Sequence, residues 1–201
     1  MSDRESDLEV EADGELGLPP QSERRIVIEP MRRRHLRGVV SIEERTNHRP
    51  WSLSLFAGEL KMPTSRVYVV ALEDSVVLGF AGAMYVGDEA HITTVAVHPA
   101  EMRQQIATRL MLTLTRCCIV DGIDALTLEV RITNRPAQEL YRRFGFAPGG
   151  IRPQYYRDVG EDALIMWCHD LASPSMGQRL DALEAGLRSP LVTRGLGPSA
   201  A

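Results

Sequence analysis

The residues best placed to do chemistry lie in the stretch Val95 to Leu112, Val-Ala-Val-His-Pro-Ala-Glu-Met-Arg-Gln-Gln-Ile-Ala-Thr-Arg-Leu-Met-Leu. It reads as a buried strand, a loop opened by Pro99 and an amphipathic helix whose first turn carries few side chains able to crowd a ligand. A strand feeding a helix N-terminus makes an anion site, because the first backbone N–H groups have no partner inside the helix and the helix dipole favours negative charge there. The expected guest is a phosphate; an ordinary strand-loop-helix unit that binds nothing is the competing reading. His91 and His98 flank the central strand, but no carboxylate or nucleophile spacing around them makes a triad, so both read as solvated. Cys117, Cys118 and Cys168 lack C-x-x-C or His-rich spacing and read as small core-facing hydrophobes of a reducing compartment. No metal site is expected. The run Arg32-Arg33-Arg34 reads as the solvated face of a helix.

Composition bounds the rest. With 201 residues, 44% hydrophobic and 25% charged, the chain is expected to be one soluble domain with tails. No run approaches a membrane span, and the acidic start Met-Ser-Asp-Arg-Glu-Ser-Asp lacks the basic and apolar regions of a signal peptide, so a cytoplasmic location without membrane contact is expected. The net charge of −4 hides a division: residues 1–23 hold eight acids against Arg4, leaving +3 on residues 24–201. The leader combines like charge with Gly14, Gly17, Pro19 and Pro20 and reads as disordered. Lys61 stands alone beside 22 arginines. The arginines are scattered and not interleaved with aromatics, which argues against a direct nucleic-acid surface.

The elements that must position the Val95 stretch follow in order. Arg25-Ile-Val-Ile-Glu-Pro has β character, and Met31 to Glu44 places Leu36, Val39, Val40 and Ile42 on a helix. Ser52 is a candidate N-cap for a second helix carrying Leu55, Phe56 and Leu60, ended by Pro63. Arg66 to Leu72 and Val76 to Tyr85 form a hairpin, and a turn at Val86-Gly-Asp-Glu leads to a third strand, Ala90 to Val97. The helix after the loop carries Ile106, Leu110, Leu114, Cys117 and Val120 on one stripe, with Arg103, Arg109 and Arg116 on the polar side. Ala125 to Val130 follows a helix-length crossover and should run parallel to the strand ending at Val97. Asn134 opens a helix with Pro136 in its first turn and Gly145 after its end. A β pair spans roughly Phe146 to Ile151 and Ala163 to Trp167. Met176, Leu180, Leu183 and Leu187 then mark a last amphipathic helix.

Ile92-Thr-Thr-Val-Ala-Val-His-Pro, Arg103-Gln-Gln-Ile-Ala-Thr-Arg-Leu, Leu128-Glu-Val-Arg-Ile-Thr-Asn and Ala137-Gln-Glu-Leu-Tyr-Arg-Arg-Phe-Gly-Phe resemble the GCN5-related N-acetyltransferases. Within them the match is to the RimI-type enzymes that acetylate a ribosomal-protein N-terminus. Leu-Glu-Val-Arg-x-x-Asn with Leu-Tyr-x-x-x-Gly-Phe is its specific part; Pro50-Trp51-Ser52 and Arg152-Pro-Gln-Tyr-Tyr also match. The resemblance covers about residues 25–170. It implies an α+β fold: a mixed, mostly antiparallel sheet with a splayed parallel pair at its centre, flanked by helices. It divides the chain into a leader (1–23), an acetyltransferase domain (24–171) and a tail with a short helix (172–201).

The same resemblance implies acetyl-coenzyme A as acetyl donor, with its pyrophosphate on the backbone of Arg103, Gln104, Gln105, Ile106, Ala107 and Thr108. The pantetheine arm would add to the strand edge at Val95 and Val97, and Asn134 would contact it. Glu129 would be the general base, acting through water, and Tyr141 the general acid; Tyr155 and Tyr156 either line the acceptor groove or pack the last hairpin. The acceptor would be a protein or peptide N-terminal α-amine, with a ribosomal protein as the family precedent. A small-molecule amine acetyltransferase and a non-catalytic binding or regulatory module are the alternatives. One departure stands out: the family loop Gln/Arg-x-x-Gly-x-Gly/Ala is here Met102-Arg-Gln-Gln105-Ile-Ala107. Glycine lets backbone approach a phosphate with no Cβ in the way, so its replacement by Gln105 predicts weakened rather than abolished cofactor binding.

Overall fold

The computed structural model describes residues 24–196, so the expected acidic leader lies outside the described residues. From the N-terminus come β1 (Val27–Pro30), a 3-10 turn, α1 (Leu36–Thr46), α2 (Leu53–Glu59), β2 (Arg66–Glu73), β3 (Val76–Val86) and β4 (Glu89–Val97). A second 3-10 turn at Pro99–Glu101 leads to α3 (Ile106–Val120), then β5 (Ala125–Arg131), α4 (Arg135–Arg143), β6 (Ala147–Tyr156) and β7 (Glu161–Cys168). The C-terminal part forms α5 (Pro174–Ala185) and β8 (Val192–Thr193). The strands make one sheet in the order β6-β7-β5-β4-β3-β2-β1-β8. Among the described residues, only β4/β5 and β1/β8 are parallel pairs; the others are antiparallel. The α3 crossover explains the central parallel pair, since a helix is the ordinary way to return a chain to the same end of a sheet.

Helices cover both faces. Leu36, Val39, Ile42 and Phe56 of α1 and α2 pack on Val70 and Phe80, while Ile106, Leu110, Leu114, Tyr141, Phe144, Met176 and Leu180 bury the other face. Side-chain caps start three of the helices as their sequences suggest: Ser52, Asn134 and Ser173 accept from the N–H groups of Leu55, Ala137 and Met176.

Several side chains sit elsewhere than periodicity predicts. Leu55 is 43% exposed, because the short α2 buries only Phe56. On α3, Val120 is 60% exposed at the helix end, and the buried residue near it is Cys118, with Cys117 partly buried. Arg109, assigned to the polar side, is fully buried. The reason is tertiary: α5 and the chain after it cover the outer surface of α3, so α3 is apolar and enclosed nearly all round. Arg34 is not merely solvated either, since its Nη2 lies 2.5 Å from Oε1 of the buried Glu29. β6 runs to Tyr156, five residues beyond the expected end at Ile151.

The segment expected as a tail with one helix carries a second element. After α5 the chain crosses α3 and β8 pairs with β1 through Val27↔Val192 and Ile28↔Thr193. That pairing occupies a sheet edge whose N–H and C=O groups would otherwise need solvent.

The feature that shapes the site is an irregularity in β4. Gly82 and Ala83 of β3 face Thr94 and Ile92, so Thr93 is an extra, bulged residue. Its hydroxyl donates to Gly82 O at 3.2 Å. A bulge shifts the alternation of side chains and sharpens strand twist. Accordingly Ala90 and Ile92 enter the α3-side core before it, and Val95 and Val97 after it. Pairing of β4 with β5 covers only Glu89↔Ala125, Ala90↔Leu126 and His91↔Thr127; beyond His91 the two strands part.

The start of α3 is seated on β3 at Gly79. A Cβ there would lie 2.8 Å from Ala96 O and 3.1 Å from Ile106 Cγ2. Gly79→Ala is therefore expected to destabilise the fold by about 1–3 kcal/mol, the usual penalty of overpacking. Denaturant unfolding midpoints of the two chains check it; equal midpoints would contradict the close seating.

Candidate active site

The splay between β4 and β5 opens toward both faces of the sheet, and different chemistry waits on each. On the α3 face, the loop from β4 into α3 begins with the Pro99–Glu101 turn, which His98 caps by accepting from Ala100 N at 3.2 Å. His98 is thus a turn residue. Arg103 and Gln105 then take left-handed backbone conformations, φ 66° and 58°. Met102, Arg103 and Gln104 are exposed. Among the described residues, the backbone N–H groups of Arg103 through Thr108 have no hydrogen-bond partner. A run of free N–H groups at the positive end of a fifteen-residue helix fits an anion with several acceptor oxygens, such as a diphosphate.

The missing glycine has a structural answer. Gln105 adopts the left-handed conformation that glycine would adopt without strain, at a cost of roughly 1–2 kcal/mol for a residue with a Cβ. Val95 and Val97 lie partly buried on the same face, beyond the last residue of β4 paired to β5. An extended arm carrying amides could add to that edge. Asn134 uses Oδ1 to cap α4, accepting from Ala137 N at 3.2 Å, at the far end of β5.

On the α1–α2 face, a cavity of about 300 Å³ is lined by Asn47, Arg49 and Trp51 of the α1–α2 connection, His91, Ile92 and Thr93 of β4, Glu129 and Arg131 of β5, and Tyr155, Tyr156, Arg157 and Asp158 of the β6–β7 hairpin. The α1–α2 connection is held by buried Glu43, whose Oε1 accepts from Asn47 Nδ2 at 2.9 Å and Trp51 N at 3.3 Å. Burial pushes the Glu43 carboxyl above its ordinary value, and the two hydrogen bonds oppose that rise.

Glu129 lies on the wall of this cavity. Its side chain is 8% exposed, with Oε2 3.0 Å from His91 Nε2 and Oε1 3.2 Å from Arg152 Nη1. A carboxylate fixed from both sides keeps one orientation and can accept a proton without first moving. The Tyr156 hydroxyl donates to Glu129 O at 3.3 Å, and the Arg131 guanidinium lies 4.0 Å over the Tyr156 ring. Burial pushes the Tyr156 phenol up to about 12, with Arg131 opposing that rise. Arg152 lies over the Tyr155 ring at 5.2 Å. Both tyrosines therefore keep their protons at neutral pH and present donors to whatever enters.

Tyr141 stands on α4 within the opposite core, its ring 5.8 Å from that of Phe146. Burial raises its pKa well above the usual tyrosine value, and the nearby Tyr156 adds to the shift. Its hydroxyl has no hydrogen-bond partner among the described residues. The structure thus gathers Glu129, Tyr155 and Tyr156 in one cavity, and Arg103 to Thr108 with Val95 and Val97 at the donor loop. Tyr141 lies outside the cavity, in the α3-side core against which Val95 and Val97 also pack.

Two partners of Glu129 were not legible in sequence. His91, read as solvated, is ion-paired with Glu129; the partner comes from another strand, and the parallel register His91↔Thr127 puts Glu129 two residues further along on the same face. Arg152 reaches Glu129 across β7, where Ala163 faces it. The signal for His91 was its position at the strand end, which alone cannot say what faces it.

Residues 33–146 match the model of the acetyltransferase (GNAT) family. The chain is 39% identical over 137 residues, 68% of its length and 91% of the relative's, to a Bacillus subtilis protein provisionally named a ribosomal protein bS18-alanine N-acetyltransferase. It is 34% identical to the Escherichia coli K12 protein of that name, covering 62% of this chain and 84% of that one. The crystal structure of the ribosomal-protein-S18-alanine N-acetyltransferase from Escherichia coli superposes with a TM-score of 0.67 at 30% identity, over 73% of this chain and 94% of that one. Among the described residues no helix is long and apolar enough to cross a membrane.

Proposed function

The chain belongs to the acetyltransferase (GNAT) family of acetyl-coenzyme A-dependent N-acetyltransferases, and on that premise we propose that its acceptor is the N-terminal α-amine of a protein or peptide, with an alanine-first ribosomal protein as the leading candidate. One observation carries the reading: Glu129 sits on the wall of an open cavity on one face of the sheet, where β4 and β5 part, while the free N–H groups of the loop lie on the other face. Donor and acceptor can then approach from opposite faces and meet in the gap. The names of the Bacillus and Escherichia relatives support the choice of acceptor.

Acetyl-coenzyme A supplies an acetyl thioester. The N–H groups of Arg103 to Thr108 hold its diphosphate, Val95 and Val97 offer a strand edge to its amide-bearing arm, and Asn134 keeps its Nδ2 donor free for the same arm. Tyr155 and Tyr156 flank the acceptor, and Arg131 stacks on Tyr156 to hold that wall. Glu129 takes the proton of the incoming amine at a carboxylate oxygen, directly or through one water, with His91 and Arg152 keeping the carboxylate in place. Tyr141 would give its hydroxyl proton to the sulfur as the amine nitrogen bonds to the acetyl carbon and the C–S bond breaks, and the proton held by Glu129 would return to the phenolate through solvent; the raised pKa of Tyr141 keeps its proton available throughout the neutral range.

The acceptor amine sets the pH dependence. An α-amine has a pKa near 8, so kcat/KM for a peptide is expected to rise with pH and level off near 8, whereas a lysine acceptor would keep rising toward about 10. Initial rates from pH 6 to 10 check it. The discriminating experiment is thiol release with N-terminal peptides beginning with alanine, lysine peptides blocked at the N-terminus, and polyamines. Turnover is expected with the first set. Turnover on polyamines alone would make this a small-molecule enzyme, and saturable acetyl-coenzyme A binding with no turnover on any acceptor would make it a binding module.

A further inference from the structure

Resting on the reading that the loop before α3 holds the acetyl-coenzyme A diphosphate, we infer that the C-terminal segment is a clasp that holds Gln105 in the glycine-like conformation the site requires. The loop and the tail meet through side chains on α3's first turn. Gln105 Nε2 donates to Gly186 O at 3.0 Å, and its Oε1 accepts from Arg188 N at 2.8 Å. One amide side chain thus pairs with the backbone of the tail in both directions. One turn further on, Arg109 Nη1 donates to Pro190 O at 2.8 Å, and Nη2 donates to Ser189 O and Oγ at 2.7 and 2.8 Å. The end of the strap is then fastened by β8 on β1.

Each part of this contact is otherwise costly. A cation near a helix N-terminus opposes the helix dipole. Arg109 is fully buried there, and desolvation holds its affinity for the proton below the ordinary arginine value. Among the described residues its guanidinium pairs only with the tail carbonyls and the Ser189 hydroxyl, and its Nε is left without a partner, so Arg109 has the features of an anchor for the tail and not of a core residue. Gln105 likewise carries the strain of φ 58°. Its two hydrogen bonds to the tail exist only while the side chain leaves the backbone in that direction, so they offset the strain that glycine would not have. Released from the tail, Gln105 would relax toward ordinary right-handed geometry and turn the N–H groups that follow it. Gln105 and Arg109 therefore act as positioning residues for the cofactor through the tail.

The test uses the full chain and acetyl-coenzyme A, with Kd from calorimetry and KM and kcat from thiol release. Gln105→Ala keeps the Cβ and removes the clasp; Arg188→Pro removes the tail N–H; Arg188→Ala removes the same side chain but keeps that N–H. Gln105→Ala and Arg188→Pro are each expected to raise Kd and KM for acetyl-coenzyme A about fivefold to thirtyfold, the equivalent of the left-handed strain, with the loss in KM and not in kcat. Arg188→Ala is expected to stay within about twofold of the unsubstituted chain. Adding Gln105→Gly to Arg188→Pro is expected to restore Kd, because glycine needs no clasp; a merely structural tail would not be rescued this way. Unfolding midpoints measured on the same proteins separate binding from folding, and Arg109→Met, which frees the tail from α3 at a different residue, should reproduce the rise in Kd. Unchanged Kd in Gln105→Ala and Arg188→Pro, tighter binding on release of the tail, or failure of the glycine to rescue would each overturn the inference while the cofactor reading stands. Absence of saturable binding by the unsubstituted chain would overturn the cofactor reading and the clasp with it.

Discussion

Glu129→Gln is expected to lower kcat on an N-terminal peptide by about 10²- to 10⁴-fold at pH 7, the range that a positioned general base contributes. The substitution keeps size and leaves one oxygen that can accept from either His91 or Arg152, so the cavity wall should survive while the proton acceptor is lost. The defect has a signature in pH. Below about pH 8 an α-amine is mostly protonated and depends on the base; above it the amine is free without help, so the gap between the two enzymes should narrow as pH rises. Rates at saturating acetyl-coenzyme A across pH 6 to 10 measure this. A gap of less than twofold at pH 7 would remove Glu129 from the mechanism and leave the amine to solvent.

Tyr141→Phe is the second large effect, about 10²-fold in kcat. The lower end of the general-acid range applies because a thiolate with a pKa near 8.5 leaves more readily than an alkoxide. The ring packs against Phe146 and the α3-side core, and phenylalanine keeps that packing; the hydroxyl it removes has no protein partner among the described residues. Stability should therefore change by less than about 1 kcal/mol, which separates this variant from a folding defect. Because burial raises the pKa of Tyr141, ionisation of its hydroxyl should not give wild-type rates a falling limb below pH 10. An unchanged kcat in the phenylalanine variant would mean that the leaving sulfur takes its proton from water.

Much of this molecule is local and could be read along the chain. Ser52 and Asn134 cap the helices they precede, β-rich runs on either side of Asp74 make the hairpin, and a helix-length crossover after Val97 makes β4 and β5 parallel. These are properties of neighbouring residues: a free N–H at a helix start, an alternation of side chains, a turn. The runs around Glu129 and Tyr141 were legible as a resemblance to a family pattern, whose spacing lies within one strand and one helix; the roles it implies for the two residues are proposals. The anion-ready helix start in the Val95–Leu112 stretch belongs to this class too.

What only the tertiary structure decided is who faces whom. His91 and Glu129 meet because a parallel register aligns two strands, and Arg152 joins them across a third. Gln105 and Arg188 meet across 83 residues, and a two-residue strand, Val192–Thr193, has no periodicity to announce itself. The sequence by itself predicted a weakened loop at Gln105 and an Arg109 on the polar side of its helix. The fold reverses the second expectation and explains how the first can be offset. Backbone strain and buried charge are tolerated where distant segments supply hydrogen bonds, and no rule confined to neighbouring residues contains those partners.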